Sequence, residues 1–466
     1  MPFQFINNDN LSDNATRKQI RRHAALGINK GRKVSRMSRK EVLTDTTTEF
    51  RVPLIMGGTS AERSETNVEI ERPIDDGLFL PDLLPGEPKG LVKKVISFMC
   101  AIRLSPELDD GLDYGGLGAP ACVQYMLVDA GCFHSTMATA LVCLDNLVGR
   151  SESKLQALRH ASRTVRLVNQ KLSKSAITDF TIAAVISMAQ YEHHQNQFQQ
   201  GSAHVQGLWH ISQLRGGISN LTGSPSGLGQ KMLRIDLEYS LQLGTPTSFT
   251  LEEAEIGCKP ISRFPSMCLQ SDVSILPLAL ARNPARALPA NYRDLFVDVL
   301  FLASLLNNAI LGNARKIDAI ELHQDIILLG YRLVNLRPLG LPRGISWLQN
   351  KVHLGLAAFL VTFLRGWDGR LAQNDLLAEL LISAARQPVG ADQDGRETLL
   401  WLLFIGAAAS NLCKRPVWIS RAKCTLQSLQ IICWQDAKAL LAEFPWVDAV
   451  HDSAGQALWQ EVHSCG

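Results

Sequence analysis

The sequence predicts an all-α protein: a large multi-helix array behind a disordered, basic N-terminal arm. Three observations predict it. From Lys89 onward, apolar residues recur at spacings near 3.6. No stretch sustains the period-2 alternation of β-branched residues that marks strands. The first fifty residues combine dense positive charge with few apolar anchors, a composition that cannot bury a core.

The arm spans residues 1–50. Between 17 and 40 it carries ten Lys/Arg, among them Arg17, Lys18, Arg21, Arg22, Lys30, Arg32 and Lys33, and no acid. The whole chain has 47 Lys/Arg and 44 Asp/Glu, so the body behind this arm is mildly acidic. The clusters Arg17–Arg22 and Lys30–Lys33 have the two-part layout of a nuclear import signal. The same charge suits phosphate backbones through counterion release, without sequence information. A solvated tail would need neither partner. Aromatic residues do not interleave with the bases, which argues against a single-strand stacking platform. Residues 51–88 read as a flexible linker rich in Gly, Pro, Ser, Thr and acids, kept extended by Pro81, Pro85 and Pro88.

From residue 89 to 466 the chain reads as one helical domain. The periodicity predicts helices over 89–103, 120–147 with a break near Gly131, 151–173, 177–196, 203–215 and 225–243. Five prolines between 244 and 288 predict a long irregular crossover. Further helices are predicted over 289–312, 316–335, 347–366, 373–386, 396–412 and 417–442. In 151–173, Leu155, Leu158, Val165, Val168 and Leu172 form an apolar stripe. Arg159, Arg163 and Arg166 fall opposite it, on what reads as a solvent face.

His204 to Phe249 organises the rest. Val205, Leu208, Ile211 and Leu214 mark one helix, which Gly216 and Gly217 stop through left-handed backbone. Leu228–Leu243 marks a second helix, ended by Gly244 and Pro246. Ser224 or Ser226 is the expected N-cap of the second.

Several function classes lose support. Ten scattered cysteines form neither a C-x-x-C nor a zinc-finger pattern, which suits reduced thiols inside a cell. The N-terminus lacks the apolar core of a secretory signal. The longest apolar run, Thr398–Cys413, is shorter than the roughly 20 residues of a membrane span. Asp109, Asp110 and Asp113 spell D-D-x-x-D, the spacing by which helical terpene cyclases hold magnesium. Pro106, Gly111, Gly115 and Gly116 surround them, so an acidic loop is expected. His193, His194, His204 and His210 cluster beside Glu192 without H-E-x-x-H spacing, and read as packing or capping histidines. GGLGAPA at 115–121 lacks the preceding strand of a dinucleotide site. Gly223–Gly227 lacks nucleophile-elbow spacing.

Four stretches carry a resemblance. They are FQFIN with RKQIRRHAALGINKGRK near the N-terminus, Asp179–Glu192, and His204–Leu221 followed by Arg234, Asp236 and Pro246-x-x-Phe249. The fourth is WLLFIG (401–406) with FPWV (444–447) and HDxxGxxLW (451–459). Together they resemble the fungal-specific transcription factor domain. That helical regulatory region usually follows a six-cysteine, two-zinc DNA-binding cluster. The resemblance implies a nuclear transcription regulator, and structural signature roles for His204, Gly207, Arg215, Gly216, Gly217, Arg234 and Asp236. Its partners would be other transcription regulators or a DNA-binding partner, as a homo- or heterodimer. DNA would be met indirectly or nonspecifically through the arm, and no membrane is involved. Pathway-specific control, as of a secondary-metabolite gene cluster, is what such relatives often exert.

The sequence departs from the family in having no cysteine before Cys100. Three readings follow: a regulator tethered through partners, a cluster encoded on a missing upstream exon, or a regulatory domain turned to another task. Neither the residues nor the resemblance assigns a catalytic residue, a cofactor or a metal. The rival reading is an all-α enzyme or small-molecule binder built on Asp109, Asp110 and Asp113. Arg234 and Asp236 are too close in sequence to face each other on a helix, so Arg215 is the expected partner of Asp236.

Overall fold

A computed structural model describes residues 89–464, apart from 103–105, 116–119, 150–152, 175–176, 223–226, 259–263, 265–283, 343, 389–391 and 411. The arm, the linker and the import candidates Arg17, Lys18, Arg21, Arg22, Lys30, Arg32 and Lys33 lie outside them. The described residues are all-α. Seventeen helices carry almost all the regular structure.

The first half comprises α1 (Lys89–Ala101), α2 (Ala121–Met126), α3 (Ala130–Val148), α4 (Lys154–Ser173), α5 (Asp179–His194), α6 (Phe198–Leu214), α7 (Ser219–Thr222), α8 (Leu228–Leu243) and α9 (Leu251–Cys258). The second comprises α10 (Ala290–Ile310), α11 (Ala319–Leu336), α12 (Trp347–Val361), α13 (Asp375–Arg386), α14 (Gln393–Ala409), α15 (Pro416–Ser428), α16 (Trp434–Leu441) and α17 (Asp448–Ser464). α3 packs against α4 and α5, α5 against α6 and α8, and α8 against α11 and α13. α12 lies against α13 and α14, and α14 against α15 and α17.

Local chemistry sets most of the ends. The break predicted near Gly131 falls at Asp129, whose carboxylate accepts from the Cys132 amide at 3.0 Å and caps α3. Thr178 and Thr181 form a reciprocal capping box at α5. Asp318 caps α11, and Ser346 with Gln349 boxes α12. The expected serine cap of α8 is replaced by Gly227 in the left-handed region (φ 61°), with no side-chain cap bond. Leu112–Asp113 and Ile317–Asp318 form a two-residue parallel pair that strand periodicity is too short to reveal.

Four predicted elements need correction. The 244–288 crossover contains α9, started by a Thr250–Glu253 capping box. The single helix expected over 417–442 breaks between Ser428 and Trp434, with Gln430 at φ 57°. Asp448–Ser464 is helical, burying Val450, His451, Gly455, Leu458 and Val462 on one face. The last correction concerns α4, whose buried face is Ala157, His160, Ala161, Thr164 and Val168. Leu155, Leu158 and Val165 are instead 60%, 52% and 42% exposed. Small residues let α4 approach α3 closely, and that approach turns the bulky stripe outward. On the same seam the His134 and His160 rings meet Nδ1 to Nδ1 at 2.8 Å.

Large aromatics lock the second half. Trp401 stacks on Phe444 with centroids 5.3 Å apart and donates to the Pro445 carbonyl at 3.0 Å. Its ring lies where a Cβ on Gly355 would sit, so α12 and α14 meet at a distance that glycine alone permits. His451 accepts from the Val447 amide at 2.9 Å and bonds Thr362 Oγ1 at 3.0 Å. The 401–406, 444–447 and 451–459 stretches therefore converge on one packing unit. Among the described residues no helix is long and apolar enough to cross a membrane.

Candidate functional site

The signature helix pair positions the chemistry. α6 ends in a Schellman closure: the Gly217 amide donates to the Ser212 carbonyl at 2.9 Å and the Gly216 amide to Gln213 at 3.1 Å. Gly216 has φ 84°, the left-handed conformation that the motif requires after the C-cap, and Gly217 follows at φ 91°. Arg215 reaches back to the start of α5, donating to Asp179 Oδ1 and to the Ile177 carbonyl, each at 3.0 Å.

The expected Arg215–Asp236 pair does not form. Asp236 is 2% exposed and faces the other way, across the turn that follows α8. It accepts from the Ser248 amide at 2.9 and 3.0 Å, the Phe249 amide at 3.1 Å and the Tyr331 hydroxyl at 2.7 Å. Burial raises its carboxyl above the usual range, against the pull of these donors. Asp236 thereby ties the Pro246–Phe249 turn and α11 to α8. His204 is half-buried on α6, with burial lowering its imidazole. Nothing approaches the position of a Cβ on Gly207, and its role in the signature has no structural explanation.

Arg234 is the hub of a largely buried polar junction. Its Nε donates to Glu238 Oε1 at 2.6 Å, and a terminal nitrogen donates to the Arg365 carbonyl at 2.7 Å. The other terminal nitrogen lies 3.5 Å from His323 Nδ1. Glu238 Oε2 is 3.9 Å from His193 Nε2, and Asp368 Oδ2 is 3.9 Å from His194 Nδ1. Asn146 on α3 donates to Asp368 at 3.2 Å and to the His194 carbonyl at 3.3 Å. Arg365 extends the junction to Glu107 at 3.1 Å. Six segments distant in sequence thus meet in one junction centred on Arg234.

Burial sets the charge states here. It pushes His194 down to about 4 and His323 to about 3, and it lowers His193. Glu238 pulls His193 up and Arg234 pulls it down. Burial lifts Glu192 to about 7. Neutral imidazoles beside one guanidinium and two carboxylates make a cross-link between helices. Of the residues here, Arg234 is one that the resemblance singles out; Glu238, His323, Arg365 and Asp368 carry no local pattern that could have marked them.

Other candidates stay apart. Asp109, Asp110 and Asp113 are exposed in a turn and short strand; Asp109 accepts from the Tyr114 hydroxyl at 2.7 Å and Asp113 from the Gly115 amide at 2.9 Å. No His, Cys, Asp and Glu side chains converge as a metal-binding group among the described residues. His210 is exposed against Trp209. A cleft of about 180 Å3 lined by Leu426, Ile431, Val462 and His463 shares no residue with the Arg234 junction.

Lys351 on α12 interrupts an apolar helix with no motif to mark it in the sequence. It is fully buried, and its amine has no hydrogen-bond partner. It sits 4.8 Å from the Trp347 ring centroid. Burial, with Arg421 nearby, lowers it to about 8. The unfolded chain then binds more protons than the folded one between about pH 8 and 10.4, so stability rises with pH through that window. Lys351→Met is expected to remove this rise and to stabilise the protein at pH 7 by up to about 3 kcal/mol. Urea unfolding of both proteins at pH 7 and pH 10 measures it; an unchanged pH dependence would refute the assignment to Lys351.

No family model, curated protein or solved structure matches the chain.

Proposed function

We propose that this protein is a transcription regulator of the fungal type that works by association through its helical body. The observation that carries the reading is the use made of the signature. Arg215, Arg234 and Asp236 each spend their hydrogen bonds inside the chain, joining α6 to α5, α8 to the 365–368 turn, and α8 to α11. A signature of this kind maintains a scaffold, and a scaffold acts through its surface. In this reading the helical body binds other regulators or a DNA-binding partner, and the basic arm carries the protein into the nucleus. DNA is reached indirectly, or nonspecifically through the arm's charge.

The test uses the full chain. Fused to a heterologous DNA-binding module, it is expected to change a reporter's output several-fold in either direction. A fluorescent fusion is expected in the nucleus, and Arg21/Arg22→Ala combined with Lys30/Arg32/Lys33→Ala is expected to release it to the cytoplasm. A reporter that does not respond, with a fusion excluded from the nucleus, would overturn the proposal. Nuclear entry that survives the five substitutions would remove the role given to the arm.

A further inference from the structure

The C-terminal turns of α15 and α17 line a cleft of about 180 Å3 that the proposed function leaves unused. Its wall on α15 follows from how that helix ends. The Gln430 amide donates to the Gln427 carbonyl at 3.1 Å and the Ile431 amide to the Leu426 carbonyl at 3.0 Å. This is a Schellman closure, with Gln430 in the left-handed region at φ 57°. The motif turns the chain back on its own helix, which brings Ile431 to the same wall as Leu426. Val462 of α17 completes the apolar lining, and both Leu426 and Val462 are buried.

The other lining side chains are Lys423, Gln427 and His463, so the polar part of the cleft is basic and holds no acid. An ammonium has three donors, so Lys423 can engage a ligand and a protein group together. His463 is a fixed wall: its Nδ1 donates to the Trp459 carbonyl at 2.8 Å, and its ring stacks on Trp459 with centroids 4.2 Å apart. Open carbonyls at a helix C-terminus repel anions. The four terminal carbonyls of α15 are all bonded: Thr425 to the Leu429 amide, Leu426 and Gln427 in the closure, and Ser428 to Arg396 at 3.2 Å. Arg396 also brings positive charge to that end of the helix.

Size narrows the ligand further. An apolar cavity of about 150 Å3 holds benzene, so this cleft takes one ring with a small substituent and excludes a fused ring system or a long acyl chain. An apolar wall with a few polar groups to one side is the usual make-up of a small-molecule site. Inorganic phosphate would meet Lys423 and leave the apolar wall wet. We infer that the cleft binds a small carboxylic acid with a single ring, the ring on Leu426, Ile431 and Val462 and the carboxylate at Lys423 and Gln427. This inference stands independently of the proposed transcriptional role.

The experiment is isothermal titration of the full chain with benzoate, benzyl alcohol, benzylamine and inorganic phosphate. Benzoate is expected to bind saturably. Benzyl alcohol and phosphate each lack one half of the recognition and are expected to bind about tenfold more weakly or worse. NMR of the unmutated, methyl-labelled protein is expected to show contacts from the benzoate ring to the methyl groups of Leu426, Ile431 and Val462. Lys423→Met is expected to weaken benzoate about tenfold and to leave the weaker binding of benzyl alcohol unchanged, whereas a folding defect would weaken both alike. Lys423→Arg is expected to restore most of the loss, and Ile431→Trp, which fills the cleft, to abolish binding of both. The inference is overturned if benzoate does not bind, if its NMR contacts lie elsewhere, if Lys423→Met leaves its affinity unchanged, or if benzylamine binds as tightly.

Discussion

Asp236→Ala is expected to lower the free energy of unfolding by about 3–5 kcal/mol. The carboxylate is buried and accepts from two backbone amides and one phenol. Truncation strands all three donors away from water, and each stranded donor costs about 1–3 kcal/mol. The loss is not confined to α8. The amides belong to the turn that brings Phe249 into the core, and Tyr331 belongs to α11. Asp236→Asn keeps the shape but offers one acceptor oxygen, so an intermediate loss is expected. Tyr331→Phe removes a single bond, and about 1–2 kcal/mol is expected. Equilibrium urea unfolding ranks the three. A loss below 1 kcal/mol for Asp236→Ala would mean that the turn after α8 does not depend on this carboxylate.

The second large effect is expected at Arg234. Arg234→Met leaves the largely buried Glu238 without its cation and the Arg365 carbonyl without its donor. A cost of about 3–5 kcal/mol follows, because an uncompensated buried charge remains. The double variant Arg234→Met/Glu238→Met removes the charge together with its partner and is expected to recover more than half of that loss. Independent losses that simply add would contradict the pairing. The junction also has a spectroscopic readout. Arg234 holds His193 down and Glu238 holds it up, so Arg234→Met is expected to raise the His193 pKa and Glu238→Gln to lower it. Imidazole titration by NMR separates the two directions.

Much of the fold is legible locally. α5, α8, α10, α11 and α13 coincide with the predicted segments to within a few residues at either end. Their apolar spacing, and cap residues such as Thr178, Asp318 and Ser346, lie within one turn of the feature they control. α9 was legible too, in the Thr250–Glu253 capping box, but five prolines around it outweighed the signal. α17 was hidden because its buried face includes His451 and Gly455, which apolar periodicity does not count. α4 misled in the opposite sense. Periodicity identifies a stripe, and it cannot say whether the stripe or the small-residue face beside it meets the core.

The site was legible only in part. Gly216 and Gly217 act within their own turn, so their role follows from residue type. Arg215 and Asp236 stand out in the sequence through the resemblance alone, and their partners are Asp179 and the 248–249 turn with Tyr331, not each other. By itself the sequence determined the helical class, most helix positions, the closure after α6 and the segregation of charge into the arm. These depend on interactions spanning a few residues. Only the tertiary structure decided which face of α4 is buried, which charges pair around Arg234, and that Lys351 lies inside without a hydrogen-bond partner. Those outcomes depend on contacts between segments tens to hundreds of residues apart, chosen by close packing and by the desolvation of each polar group, and neither is encoded in local spacing.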